Sequence, residues 1–251
     1  MMSRYNISSG IIMTIIAIIP ARGGSKSILK KNIRSFCGKP LVAHSIQTAS
    51  SCSNLDRVIV SSDDSDIIDI ALEYGAEVPF TRPKKLAEDD TLDLPVFLHC
   101  LELLKEHEGY EPDIIVQLRP TSPLRTVEMI EKGIKLLIDN SEADSVRTVC
   151  KPSQNPYKMW KFSDNGFLHP LLDTDIKDPY NQPRQNLPDV YWQNGYVDVT
   201  RRTTILEKNS MTGDRILPLV VDSQEIVDID NEITFRLAES IFLSRNRRGT
   251  S

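Results

Sequence analysis

Two groups of side chains in this chain could do chemistry. The first is Ala21-Arg22-Gly23-Gly24-Ser25-Lys26, followed by Lys30, Lys31 and Asn32. Adjacent glycines let a backbone approach a ligand closely, and free N–H groups in such a turn can face an anion. Arg22, Lys26 and Lys31 add positive charge, so the loop fits phosphate handling. A basic, solvated turn explains the same composition equally well. The second group is Asp228 and Asp230, which alternate in the short segment Val227-Asp228-Ile229-Asp230. Alternate residues of an extended segment share a face, and two carboxylates on one face repel unless a cation lies between them. Mg²⁺ prefers oxygen ligands and keeps waters and substrate phosphates in its shell, which suits such a pair. Asp230 alternatively caps the helix that follows, or does both.

The elements around these groups must place them. Ile15 to Ile19 is short, bulky and β-branched, the composition of a strand buried on both faces, and the basic loop leaves its carboxyl end after Pro20. Leu41 to Ser50 reads as a helix with Pro40 near its first turn. Arg57 to Ser61 is a second buried strand; Ser62-Asp63-Asp64 caps a helix to Tyr74 that Gly75 ends. Glu77 to Phe80 reads as a short third strand. A helix starts at Asp93, with Pro95 in its first turn, and runs to His107. Ile114 to Leu118 is a strand, Arg119 to Arg125 a rigid turn, Val127 to Ile138 a helix and Ala143 to Val149 a strand. The alternation predicts an α/β domain with a mainly parallel sheet covered on both faces.

That pattern breaks between residues 151 and 189. Six of the fifteen prolines fall there, and Asp164-Asn165-Gly166 signals a hairpin. The segment is expected to be an arm inserted into the core, within a single domain over 13–251. The core resumes with strands at Tyr191 to Thr200 and Ile216 to Val221 and a helix from Asn231 to Leu243, leaving a frayed basic tail. Residues 1–12 are expected to form a loose extension, with Met13 a candidate natural start.

Composition narrows the function classes. The chain has 251 residues and a formal net charge of −5, so its basic loop reads as a site, not as part of a wide nucleic-acid patch. The apolar run Ile11 to Ile19 falls short of the roughly 20 residues that span a bilayer, and no small-residue cleavage site follows it. Cys37, Cys52, Cys100 and Cys150 are scattered without metal spacing, which predicts reduced thiols and a cytoplasmic protein. His44, His99, His107 and His169 match no metal spacing. The first loop fits neither the G-x-x-x-x-G-K-[ST] nor the G-x-G-x-x-G pattern, which disfavours a P-loop NTPase and a dinucleotide-binding dehydrogenase. A strand ending in a basic Gly-Gly loop remains, as for ligands bound at the carboxyl end of a parallel sheet.

Ile18-Ile19-Pro20-Ala21-Arg22-Gly23-Gly24-Ser25-Lys26, with Lys31-Asn32 beyond it, resembles the signature of the acylneuraminate cytidylyltransferases, the CMP-sialic acid synthetases. Further landmarks follow in order: Val60-Ser61-Ser62-Asp63-Asp64, Tyr74 to Phe80, Arg82-Pro83 with Leu86-Ala87 and Asp89, Pro120 to Arg125, Gln182-Pro183-Arg184-Gln185, Asn194-Gly195 and Val227 to Asp230. The resemblance implies CMP transfer from CTP to the anomeric hydroxyl of a nine-carbon 2-keto acid sugar, with release of pyrophosphate. It also implies Mg²⁺, a Rossmann-like nucleotidyltransferase core, and a homodimer with an exchanged arm.

By the same resemblance Ala21, Arg22, Gly23, Ser25, Lys26, Lys31 and Asn32 surround the nucleotide. Lys31, with Arg22 beside it, stabilises the α-phosphate, and Asp228 and Asp230 hold the metal. Asp228 alternatively helps to deprotonate the attacking hydroxyl. Arg82 reads the cytosine. Asp93 stands where a hydroxyl residue is common; a carboxylate there can accept from the cytosine amino group, or it caps its helix. The sugar side would comprise Arg119, Thr121, Ser122, Lys158, Arg184, Gln185, Trp192 and Asn194. Here the chain departs from sialic-acid members, which commonly have Gln at the position of Arg119 and Arg at that of Trp192. A guanidinium lost at one wall would then be supplied from another, to meet the acceptor carboxylate. The departure keeps legionaminate, Kdn and Kdo-like acceptors open beside N-acetylneuraminate. A nucleotide-binding protein of this fold without turnover is a further alternative, against which Lys31, Asp228 and Asp230 speak. No nucleic-acid or membrane partner is expected.

Overall fold

A computed structural model describes residues 13–248. Strands β1 (Ile15–Pro20), β2 (Arg57–Ser61), β3 (Ile114–Gln117), β4 (Ser145–Cys150), β5 (Trp192–Arg201) and β6 (Ile216–Val220) form one sheet in the order β6-β4-β5-β3-β1-β2. β1 runs parallel to β2 and to β3, and β6 parallel to β4. β5 is antiparallel to both neighbours, β3 and β4. The expected α/β class and mainly parallel sheet are present. The reversed strand is the one that returns from the 151–189 segment.

Burial in β1 shows why its sequence is apolar throughout. Ile15, Ala17 and Ile19 pack on one face against α1 (Leu41–Ser50), α2 (Ser65–Glu73) and α4 (Val127–Ile138). Ile16 and Ile18 pack on the other against α3 (Asp93–Glu108) and Ile205 of α5 (Arg202–Leu206). A strand with helices on both faces has no wet side, so alternation disappears. The basic loop must therefore emerge at the sheet's carboxyl edge.

Local signals placed most helices correctly. Asp64 caps α2 by accepting from the N–H of Ile67, and Thr126 caps α4 by accepting from that of Met129. The final helix, α6 (Glu232–Arg248), is longer than expected, and the described part of the basic tail is helical. Glu77 to Phe80 forms no strand; Glu77 makes one parallel bridge to Ile59. Four residues at an open edge gain too few ladder bonds to extend further. Between β4 and β5 a small hairpin, Trp160–Phe162 with Leu168–Pro170, turns at Gly166, whose φ is +83°. Residues 1–12, expected as a loose extension, lie outside the described residues. Among those described, no helix is long and apolar enough to cross a membrane, and the four cysteines are free thiols.

Asp144 ties the β4–β6 edge together. Its Oδ2 accepts from the N–H groups of Asp214 (2.8 Å) and Arg215 (3.0 Å) and from Lys208 Nζ (2.7 Å). The Lys208 ammonium first, then these backbone donors, hold its carboxyl well below the usual carboxylate range. Asp144→Ala is expected to cost about 2 kcal/mol in urea unfolding at neutral pH. A depressed carboxyl contributes in full above its unfolded titration, near pH 4, and progressively less as pH falls from there toward its folded value. The gap between variant and parent should therefore close as pH falls below about 4.

Candidate active site

The carboxyl ends of β1 and β3 open onto a cleft of about 590 Å³, lined by Arg22, Ser25, Lys26, Lys31 and Asn32 on one side and by Arg82, Asp93, Arg119 and Thr121 on the other. Its size suits a small-molecule ligand. The basic loop is organised from beneath. The N–H of Gly23 donates to Asp63 Oδ1 (3.0 Å), and a Cβ at Gly23 would lie 2.5 Å from Asp64 Oδ2. Glycine is needed there to pack on the α2 cap, and that N–H is not free to face an anion. Ala21 is fully buried, and neither residue lines the cleft. Side chains, not loop amides, carry the positive charge: Arg22 Nη2 pairs with Asp89 Oδ1 (2.8 Å) and Lys26 pairs with Asp89 Oδ2.

Lys31 reaches the site through a backbone device. Lys30 sits in the left-handed region (φ +50°) and turns the chain into a one-turn 3₁₀ helix, Lys31–Ile33. The side chain of Lys30 pairs with Asp66 (2.8 Å). Asn32, buried, donates to the carbonyl of Arg22 (2.8 Å), which ties the turn to the loop. Lys31 Nζ donates to the carbonyl of Ile229 (2.8 Å), between Asp228 and Asp230. Burial lowers the Lys31 ammonium's pKa, while Asp230 and Asp228 pull it back up.

The acid-bearing segment is clamped on its other side. Tyr196, fully buried, donates its hydroxyl to the carbonyl of Val227 (2.9 Å) and accepts from Val227 N–H. Ile229 N–H donates to the carbonyl of Thr121 (2.9 Å). Asp228 is half-buried, and its Oδ1 has no hydrogen-bond partner. Burial raises its carboxyl above the usual range, the Thr121 hydroxyl lowers it and Asp230 raises it again. Asp230 is exposed and does not cap α6. Asn231 does, its Oδ1 accepting from the N–H groups of Ile233 and Thr234 (both 3.0 Å). Among the described residues no group of three or more His, Cys, Asp or Glu could hold a metal ion. Two neighbouring carboxylates, one with an unpartnered buried oxygen, fit a hard cation that completes its shell with water and phosphate.

Arg82, also in the cleft lining, is buried, donating through Nε to Ser61 Oγ (3.0 Å) and through Nη2 to the Ser61 carbonyl. Burial pushes its pKa down. Asp93 is not a cap: Leu92 holds the cap position, and Asp93 Oδ2 accepts from Gln117 Nε2 (2.8 Å) and Arg119 Nη2 (2.7 Å). Arg119 Nη1 meets Asp198 Oδ2 (2.9 Å), which Arg147 Nη1 also contacts (3.0 Å). Both forks of Arg119 thus already carry carboxylates. Room for its guanidinium comes from a register shift between β4 and β5. Gly195 (φ +68°) lies within it, and a Cβ there would sit 2.5 Å from Arg119 Nη1. Removing Arg119 would leave Asp198, fully buried, with Arg147 as its one remaining cation. Arg119→Gln is expected to lower stability by on the order of 2–3 kcal/mol in chemical denaturation.

The remaining residues expected on the sugar side are dispersed. Ser122 and Asn194 are buried, with Ser122 Oγ and Asn194 Nδ2 unpartnered, and Trp192 is about half exposed. Lys158, Arg184 and Gln185 belong to the segment between β4 and β5. Arg184 donates to the Pro152 carbonyl, and Arg184 and Gln185 line a separate cavity with Lys151 and Asp189. A single chain does not bring these three to the cleft. Sequence reasoning assigned no role to Gln117, Asp198, Arg147, Arg125 or Tyr196. Asp198 between Val197 and Val199 was the readable signal, since a charge inside an apolar strand needs a buried partner. Arg125, fully buried, braces the 119–125 turn by donating to Ser45 Oγ (3.0 Å), the Arg119 carbonyl (2.8 Å) and the Tyr196 carbonyl.

Comparison with known proteins gives four matches. Residues 16–212 match the family model described as Cytidylyltransferase. Over 231 residues the chain is 32% identical to the CMP-N,N'-diacetyllegionaminic acid synthase of Legionella pneumophila, covering 91% of this chain and 96% of that one. It is 30% identical to the N-acylneuraminate cytidylyltransferase of Escherichia coli over 234 residues, 93% of this chain and 53% of the relative. Among solved structures, a CMP:2-keto-3-deoxy-manno-octonic acid synthetase complexed with CTP superposes with a TM-score of 0.68 at 16% identity. That match covers 92% of this chain and 99% of the other, a likeness of fold.

Proposed function

The chain belongs to the cytidylyltransferase family and is a nucleotidyltransferase; from that premise we propose that it transfers CMP from CTP to the anomeric hydroxyl of a nonulosonic acid. The hydroxyl gives up its proton to solvent as its oxygen attacks the α-phosphorus, the bond to the β-phosphate bridging oxygen breaks, and pyrophosphate leaves with that electron pair. Such transfers are catalysed by positioning and by charge on the phosphate oxygens. Arg22, Ser25 and Lys26 hold the outer phosphates, and Lys31 meets the α-phosphate. Asn32 braces Arg22. Arg82 faces the cytosine, and Asp93 accepts from its amino group. Asp228 and Asp230 hold Mg²⁺, which when bound neutralises charge on the triphosphate. The observation that carries this reading is Lys31 Nζ held against the Ile229 carbonyl between the two acids, in a cleft that Lys31 and Arg82 both line.

The acceptor is a legionaminate- or neuraminate-type sugar by relation to the two named enzymes. Thr121, Ser122, Asn194 and Trp192 lie on its side. The arm (151–189) exposes Trp160, Phe162, Phe167 and Leu168. In our reading it packs on a second copy and delivers Lys158, Arg184 and Gln185 to that copy's sugar site. Light scattering of the protein should then report a dimer. In our reading the enzyme is cytoplasmic, which its four free thiols and nucleotide substrates support. The decisive test is pyrophosphate release from CTP and Mg²⁺ with N-acetylneuraminate, legionaminate, Kdn and Kdo side by side. One nine-carbon acceptor should stand out. CTP binding in calorimetry with no release from any sugar would favour a binding protein without turnover.

A further inference from the structure

Asp89 lies inside the cleft, where an anionic ligand is expected. Its two oxygens face different cations: Oδ1 meets Arg22 Nη2 at 2.8 Å and Oδ2 meets Lys26 Nζ. Arg22 also donates through Nη1 to the Ala87 carbonyl (3.3 Å), so the 84–91 segment docks on the basic loop by side chain and backbone together. A carboxylate bridging two cations reproduces what two oxygens of a phosphate would do. The side chains of Arg22 and Asp89 are roughly a third and two-fifths exposed, and Lys26 is largely exposed. The contacts are therefore screened by water and weak enough to exchange.

Resting on the reading of this cleft as a triphosphate site, we propose that Asp89 is a positioning residue that stands in for phosphate. It holds Arg22 and Lys26 in place in the ligand-free cleft, yields them to the triphosphate of CTP and reclaims them as pyrophosphate departs. A triphosphate carries several negative charges and displaces one carboxylate. Pyrophosphate has lost its covalent link to the nucleoside and competes with a carboxylate tethered beside the same cations at high effective concentration. The chain's own acid thereby lowers the affinity of the product that the reaction must release.

The test uses the full chain with inorganic pyrophosphate alone and CTP alone as probes, titrated by calorimetry, plus pyrophosphate inhibition of turnover. Asp89→Asn removes the competing charge and should bind pyrophosphate about 3- to 10-fold tighter, as expected for two exposed ion pairs. Asp89→Glu keeps the charge and should stay within about twofold of the parent. Asp90→Asn makes the same charge change one residue away, outside the cleft lining, and should also stay within about twofold. Any merely structural role for Asp89 predicts weaker binding in the Asn variant, so the direction of change decides. Unchanged or weaker pyrophosphate binding in Asp89→Asn overturns the inference, as does equal tightening in Asp90→Asn. A parent protein that binds neither probe overturns the nucleotide reading of the cleft itself.

Discussion

Lys31→Met is expected to lower kcat by on the order of 10²–10³ while raising the KM for CTP less, the loss seen when one preorganised charge donor is taken from a reacting oxyanion. Met keeps the length and apolar stem of lysine, so the half-buried passage to the Ile229 carbonyl stays filled. What disappears is the ammonium. In its present environment burial lowers its pKa although Asp230 and Asp228 stand nearby. The sign of the pH effect follows. A lysine whose protonated form is disfavoured loses its charge at lower pH than an ordinary lysine. The alkaline limb of kcat/KM should accordingly fall earlier than an unperturbed lysine would allow, and the Met variant should lack that limb. A kcat within threefold of the parent would remove Lys31 from the reaction.

The second large effect is expected at Asp228. Asp228→Asn preserves shape and the contact with Thr121 but removes the charge of the half-buried acid. We expect a loss of roughly 10²–10³ in kcat at saturating CTP, from weakened stabilisation of charge on the phosphates. Direct titration of Mn²⁺ or Mg²⁺ into the CTP complex should show weaker binding, which separates lost metal affinity from a misplaced backbone. Asp230→Asn should have a smaller effect, because the exposed carboxylate already shares its charge with water. Chelation should abolish turnover and added Mg²⁺ restore it. Equal metal affinity in Asp228→Asn and the parent would assign Asp228 another duty, such as accepting the acceptor's proton.

The sequence by itself determined those features whose causes lie within a few residues. Uninterrupted apolar, mostly β-branched runs such as Ile15 to Ile19 suit a strand covered on both faces. Asp64 and Thr126 sit where a helix start needs an acceptor, and Asp164-Asn165-Gly166 turned a hairpin as read. The basic loop and the alternating acids were legible as candidates for chemistry because residue type and short spacing carry that information. Tertiary structure alone decided which charges meet. Asp93, Arg119, Asp198 and Arg147 span more than a hundred positions, yet form one chain of ion pairs that is buried at Asp198 and Arg147, so neither a helix cap at 93 nor a free guanidinium at 119 survives folding. Asn231, next to Asp230, took the cap because its side chain could reach two helix N–H groups, leaving Asp230 free. Likewise Asp89 found Arg22 and Lys26 across more than sixty residues. Pairing energy depends on distance in space and on exclusion of water, and the linear order of residues encodes neither until the sheet has closed.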